Sequence, residues 1–209
     1  MNLADPKRGI VYTSSILGNN FPVATGVAMA EKMSLTLNLT VVVGGDGSME
    51  EGAFYESLVL AKTLGLAMLF IIENNDWSLA TRIKERRCQI DLELLAKSAK
   101  IKYVKLSGND PDKYLTRLIQ LRNYALSKQE PVCVEVEVVT LGDWRGPVTL
   151  QHPRGRFINY HSGAAPNISF ASSPIIRRNS SDPVFLISKY LTDSKINDIR
   201  RTIAKTLNL

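Results

Sequence analysis

Two apolar runs, each ending in a polar loop and set one crossover apart, constrain this chain more than any other feature. Leu39 to Val43 is apolar and runs into Gly44-Gly45-Asp46-Gly47. An amphipathic stretch follows, then a second apolar run, Ala67 to Ile72, which ends at Glu73-Asn74-Asn75. The spacer between Gly47 and Asn74, residues 48 to 73, is 26 residues long. Parallel strands need a long connection, usually a helix, so this spacing predicts a strand–helix–strand unit. Its two polar loops then lie at the carboxyl ends of neighbouring strands, where open α/β sheets place ligands. Asp46 and one of the asparagines are positioned there to clamp a hard divalent cation, because magnesium takes oxygen ligands and bridges protein groups to phosphates.

The remaining elements extend the same pattern. Pro22 suits the first turn of a helix, and Val23, Val27, Ala30 and Met33 follow as a stripe of small and apolar residues. Leu37 to Val43 is nearly continuous in its apolar character, as expected of a strand covered on both faces. Glu50 to Thr63 reads as the crossover helix, with Phe54, Leu58 and Ala61 on one face and Gly65 placed to end it. A short helix over Asp91 to Ser98, a strand over Ile101 to Leu106, a helix from Asp110-Pro111 through Leu126 and a strand over Val132 to Val139 complete the alternation. The fold class is α/β, a doubly wound, mostly parallel sheet with helices on both faces. Residues 1–141 form the α/β core, 142–182 an irregular active-site or interface loop rich in Pro, Gly and Ser, and 183–209 a helical region packing on the same domain.

Bulk properties exclude several classes. A chain of 209 residues suits one domain, or one domain with an appendage. The net charge of +6 invites a nucleic-acid reading, but the basic residues are scattered and the one cluster, TRIKERR at 82 to 87 with Thr81, contains a Glu. No nucleic acid is expected as a partner, although the positive excess suits an anionic ligand. Cys88 and Cys133 lie far apart with no CxxC spacing, which argues against a disulfide framework. The longest apolar run, Leu66 to Ile72, is too short to cross a bilayer, and the opening residues lack an apolar signal core. Cytoplasmic location, with no membrane partner, is the expectation.

A GDG, a spacer of this length and NN together make the motif of thiamine diphosphate enzymes. The stretch GDGSMEEGAFYESLVLAKTLGLAMLFIIENNDWSLAT resembles the alpha subunit of the decarboxylating component of 2-oxo acid dehydrogenases, and more distantly transketolase. The resemblance continues upstream through SSILGNNFPVATGVAMAEKM, and loosely downstream in SSDPVFLISKYLTDSKINDIRRTIAKTL. It implies the diphosphate-binding domain of the thiamine diphosphate fold, with thiamine diphosphate and Mg as cofactors. The implied chemistry is decarboxylation of a 2-oxo acid and transfer of the remaining acyl or aldehyde unit. A transketolase-like transfer of a two-carbon ketol unit, and a non-catalytic assembly subunit with a degenerate site, are the alternatives.

Carried onto this sequence, the resemblance makes Asp46, the Asn75 side chain and the main-chain carbonyl of Trp77 the metal ligands. A helix-capping role for Asp46 and Asx turns for Asn74 and Asn75 are the competing readings of the residues alone. Gly45 and Gly47 allow close backbone approach to a diphosphate, and Ser48 offers its backbone amide there or caps the helix. Ser15 and Leu17 align with the backbone that contacts the aminopyrimidine. Asn74 braces its turn, and Glu50 and Glu51 suit the helix dipole better than catalysis. Ser78 and Thr81 follow the metal loop, where they either touch the ligand or supply ordinary loop polarity.

The family's His-bearing YHGH-like element is replaced here by TLGDWRGP, so His152 and His161, later in the irregular loop, are the candidate acid/base residues. Arg145, Arg154 and Arg156 are candidates for an anionic substrate group. The carboxylate that activates the cofactor belongs, in this family, to a pyrimidine-binding domain. No candidate for that domain is present in the sequence. The expected partner is therefore a beta-type subunit carrying that domain and its activating Glu. The chain opens almost at the Gly-rich turn, so either a separate chain supplies the family's N-terminal segment or this is a split or degenerate subunit; a hetero-oligomer and an apolar surface at the front edge of the sheet are expected.

Overall fold

In a computed structural model of the chain, the described residues are 4–78, 81–138, 142–145, 148–151, 153, 157–158, 175–176, 180 and 183–207. α1 (Asn20–Met33) precedes β1 (Thr40–Gly45), and α2 (Gly52–Leu64) crosses from it to β2 (Met68–Asn74). A small hairpin of β3 (Trp77–Ser78) and β4 (Thr81–Arg82) leads through α3 (Ile83–Arg86) and α4 (Leu92–Ser98) to β5 (Lys102–Leu106). α5 (Pro111–Lys128) returns the chain to β6 (Val132–Glu137).

The main sheet has the order β1-β2-β6-β5, and every pair in it is parallel. The crossover expected from the 48–73 spacer is therefore present, with Thr40 opposite Met68 and Gly45 opposite Glu73. Its helix starts at Gly52, later than Glu50, because Ser48–Glu50 is wound as a tighter 3-10 turn. Gly65 ends the helix in the left-handed conformation at φ 59, where a side chain would be strained. α5 has the expected signals at its start: Asp110 accepts hydrogen bonds from the backbone N–H groups of Asp112 and Lys113, and Pro111 fills the first turn.

Period-2 alternation sends the strand residues to two separate cores. On one face, Phe21 and Ala28 of α1, Phe54, Leu58 and Ala61 of α2, and Leu92 and Ala96 of α4 close over Val42, Met68, Phe70, Ile72 and Cys133. The rings of Phe21 and Phe54 lie 4.8 Å apart at 58°, and both rings are fully buried. On the other face, Leu121 and Ala125 of α5 cover Leu69, Leu106, Val132, Val134 and Val136. Helices thus lie on both faces, as a doubly wound sheet requires.

The expectation that the first strand is covered on both faces is corrected by the structure. Val41 and Val43 are each 49% exposed, while Val42 is buried. β1 is the edge of the sheet, and α5 packs over β2, β5 and β6, so the second face of β1 stays open. Leu35, Leu37 and Met33 nearby are also exposed, which gives the apolar front edge anticipated from the sequence.

Beyond β6 the sequence pattern reads as irregular, yet the described residues include three short strands. β7 (Gly142–Arg145) pairs antiparallel with both β8 (Phe157–Ile158) and β9 (Ile175–Ile176). Strands of two to four residues are too short to show a period. Two helices follow, α6 (Pro183–Ile187) and α7 (Asp193–Leu207), separated near Thr192-Asp193 as the sequence indicates. Among the described residues no helix is long and apolar enough to cross a membrane.

Candidate functional site

The two polar loops meet at the carboxyl end of the sheet. The Asp46 N–H donates to the Glu73 carbonyl at 3.0 Å, which extends the β1–β2 ladder by one step and carries Asp46 level with the second loop. Gly47 closes the contact. A Cβ built on it would lie 2.5 Å from Ser78 Oγ and 2.8 Å from Ser78 Cβ, so only glycine fits between the loops. The turn at Gly18 reaches the same corner: a Cβ there would meet the Glu51 side chain at 2.5 Å, and its φ of +74 also favours glycine.

Asp46 is buried at 2% exposure. Its Oδ1 accepts from the Gly47 N–H at 2.9 Å. Its Oδ2 has Arg86 Nη2 as partner at 3.5 Å, the outer limit of a hydrogen bond. The cap positions of the 3-10 turn and of α2 are held by Gly47 and Glu51, so Asp46 caps neither. Burial pushes the Asp46 carboxyl above its ordinary range, and the Arg86 charge opposes that rise. A buried carboxylate with one loosely held oxygen is a group suited to an added cation, since burying an under-paired charge is otherwise costly.

The second loop is organised by its asparagines. Asn74 Oδ1 accepts from the Asp76 N–H at 3.1 Å, and Asn75 Oδ1 from the Trp77 N–H at 2.9 Å, so the Asx turns that compete with the metal-ligand reading do form. Asp76, which follows the two asparagines, takes φ 65, a left-handed conformation that Asp tolerates. Asn74 is also a brace: its Nδ2 donates to Glu135 Oε1 at 2.8 Å, and the other oxygen of Glu135 accepts from the Tyr103 hydroxyl. Trp77 stands in the hairpin opposite Arg82, whose guanidinium lies 4.7 Å from the centre of its ring.

Glu50 has a different role from the helix-dipole one read in the sequence. It accepts from Arg86 Nη2 at 2.9 Å and from Arg87 Nε at 2.8 Å, and is the hub of a three-residue ion cluster that reaches Asp46. Burial works against its charge, but the hydrogen bonds of the two arginines win and hold its carboxyl below the ordinary range. Arg86, Arg87, Glu135 and Tyr103 were not among the sequence candidates. Glu135 had a signal, a carboxylate in the middle of the apolar run Val132 to Val136. The arginines had none, since a basic surface turn looks the same whether or not it folds onto a site.

The other candidates distribute around this corner. Gly45 precedes Asp46, and Ser48, two residues after it, opens the 3-10 turn. Ser15 is exposed and Leu17 is 53% exposed, so neither belongs to the core. Ser78 touches the Gly47 backbone, and its carbonyl accepts from the Thr81 hydroxyl at 2.9 Å. His152, His161, Arg154 and Arg156 lie outside the described residues, as does the side chain of Arg145.

The chain that builds this corner is similar to known proteins. The sequence matches the family described as dehydrogenase E1 component over residues 1–142. The chain belongs to that family. Along its whole length this E1-family chain is 26% identical over 209 residues to the pyruvate dehydrogenase E1 component subunit alpha of Rickettsia typhi, and it spans 61% of that protein's length. It is 29% identical over 129 residues to the mitochondrial 2-oxoisovalerate dehydrogenase subunit alpha 1 of Arabidopsis thaliana, covering 62% of this chain and 27% of the relative. Among solved structures, transketolase from Campylobacter jejuni superposes with a TM-score of 0.51 at 22% identity, over 58% of this chain and 20% of that one, a likeness of fold. The match over 1–142 contains the whole corner built by Asp46, Gly47, Asn75 and Trp77, and ends where the β7 hairpin begins.

Proposed function

We propose that this E1-family chain binds the diphosphate of thiamine diphosphate through Mg, as the alpha-type part of a 2-oxo acid dehydrogenase. The observation that carries the reading is the Asp46 carboxylate, 2% exposed, its Oδ2 paired among the described residues with Arg86 at 3.5 Å, on a backbone whose N–H bonds the Glu73 carbonyl just before Asn74-Asn75. Asp46, the Asn75 side chain and the Trp77 carbonyl are the proposed metal ligands, an all-oxygen set that suits magnesium. Gly45, Gly47 and Ser48 lie along the proposed diphosphate seat, where the close fit of Gly47 to Ser78 keeps the two loops in register. Ser15 and Leu17 line the proposed approach of the pyrimidine. Bound thiamine diphosphate would supply the carbon nucleophile that a 2-oxo acid requires. The work of this chain is to seat that cofactor, to neutralise its phosphates and to keep it fixed against a partner. A beta-type subunit bringing the pyrimidine-binding domain and the activating Glu is the proposed partner, and the open face of β1 at Val41 and Val43 is an apolar surface suited to burial in such an assembly.

The test is calorimetry of thiamine diphosphate with magnesium against the chain, alone and with a candidate beta-type subunit. Binding in the presence of the partner, abolished by Asp46→Ala with an unchanged circular dichroism spectrum, is the expected outcome. Absence of binding in both conditions would overturn the reading in favour of an assembly subunit. Turnover of a ketose donor in place of pyruvate by the assembled complex would favour a transketolase-like role.

A further inference from the structure

The nearest cation to Asp46 is one the chain supplies itself. Arg86, at the end of α3, is held by three Glu50 contacts, Nη2 to Oε1 at 2.9 Å and Nε to Oε1 and Oε2 at 3.1 and 3.4 Å, and its Nη1 donates to the Thr81 carbonyl at 2.8 Å. The same Nη2 that donates to Glu50 at 2.9 Å also lies 3.5 Å from Asp46 Oδ2, its longer and looser contact. Arg86 and Arg87 side chains are each only 13% exposed, Glu50 is 24% exposed, and Asp46 3%, so the four charges face one another with little screening by water. Two carboxylates and two guanidiniums cancel. This four-residue cluster therefore carries no net negative charge of its own with which to attract a bare dication, and such an ion would meet the Arg86 charge beside the Asp46 oxygen it needs.

A metal already bound to a diphosphate is different. The pair is anionic overall, and a guanidinium with a loosely engaged N–H is a strong donor to phosphate oxygen. We propose that Arg86 makes the site take metal and diphosphate as one unit. A bare cation must compete with Arg86 for Asp46, whereas the metal–diphosphate pair gives Arg86 an anion to turn to as the metal takes Asp46. Glu50 keeps the guanidinium tethered throughout, and is a positioning residue. This rests on the proposed function, and it adds the rule by which the site is filled.

The experiment uses the full chain and needs no turnover. Binding of Mn²⁺, a spectroscopic stand-in for magnesium, is measured by electron paramagnetic resonance, first with the free ion and then with the preformed Mn–pyrophosphate complex. For the wild-type chain the complex should bind more tightly than the free ion by about tenfold or more, within the usual range of coupling between ligands. In Arg86→Gln the free ion should bind more tightly than in wild type, and the preference for the complex should fall to about twofold or less. Arg86→Lys keeps the ion pair with Glu50 but loses the fork, and should show an intermediate preference, so it decides the matter if Arg86→Gln does not fold. An unchanged preference in either folded variant overturns the role of Arg86 and leaves the metal site standing. Absence of Mn²⁺ binding to the wild-type chain in both forms overturns this proposal, while the proposed function is decided separately by the calorimetry with the partner.

Discussion

Replacing Gly47 with Ala tests whether the two loops must touch. Gly47 has φ −72, a conformation alanine adopts freely, so the substitution imposes no backbone strain. By itself the change to Ala would stabilise the chain by about 0.4–1 kcal/mol through the unfolded state. The new methyl, however, falls 2.5 Å from Ser78 Oγ and 2.8 Å from Ser78 Cβ, against 3.4 Å for ordinary contact, so even with the hydroxyl turned away the loops must part by about 0.6 Å. Rotating the Ser78 side chain does not relieve the clash with its own Cβ. Overpacking of this kind costs about 1–3 kcal/mol, which exceeds the entropic gain. A misplacement of about 1 Å between groups acting on one ligand costs on the order of a hundredfold in function. The expected result in Gly47→Ala is a lower urea midpoint with an unchanged slope, together with weaker binding of the Mn–pyrophosphate complex by about tenfold or more. Ser78→Gly removes both clashing atoms, so the double variant should recover most of both losses, a coupling between the two positions. Wild-type stability and binding in Gly47→Ala, or failure of Ser78→Gly to restore them, would refute the loop contact on which the site depends.

Two further predictions concern the elements around the site. Glu135→Ala strips the acceptor from both Asn74 and Tyr103, and leaving those part-buried donors unpaired should lower stability by about 1–3 kcal/mol in urea denaturation. Glu135→Gln keeps one carbonyl acceptor and should lose less; equal stability of all three proteins would show that the brace does not form. Burial pushes the Cys133 thiol up to about 12, from an ordinary 9.0, while Cys88 is exposed. A native chain at pH 8 should therefore release one equivalent of colour with a disulfide reagent and a second only in denaturant. The raised value means that the neutral thiol favours the fold, a contribution fully present below pH 9 and lost as pH rises from there through about 12. Rapid reaction of two thiols in the native state would contradict the core packing.

Much of this arrangement was legible in the chain itself, because its cause is local. A strand, a 26-residue spacer and a second strand can pair in parallel only through a crossover, and that alone brings Gly47 and Asn75 to one end of a sheet. Gly65 as a helix stop, Asp110-Pro111 as a helix start and the inward set Leu121 and Ala125 follow from propensity and period over a few residues. The Asx turns of Asn74 and Asn75 are likewise short-range.

Other features depend on partners that no local pattern records. Glu50 meets Arg86 across 36 positions, and Asn74 meets Glu135 across 61. Whether Val41 and Val43 are covered depends on where α5 lies, not on how apolar the strand is. The three-stranded sheet begun by β7 joins pieces too short to announce themselves. Sequence period determines which face of an element is apolar, since that repeats every few residues. Which cation stands beside Asp46, and which side of β1 is left open, are properties of distant segments packed together, so tertiary structure alone decided them.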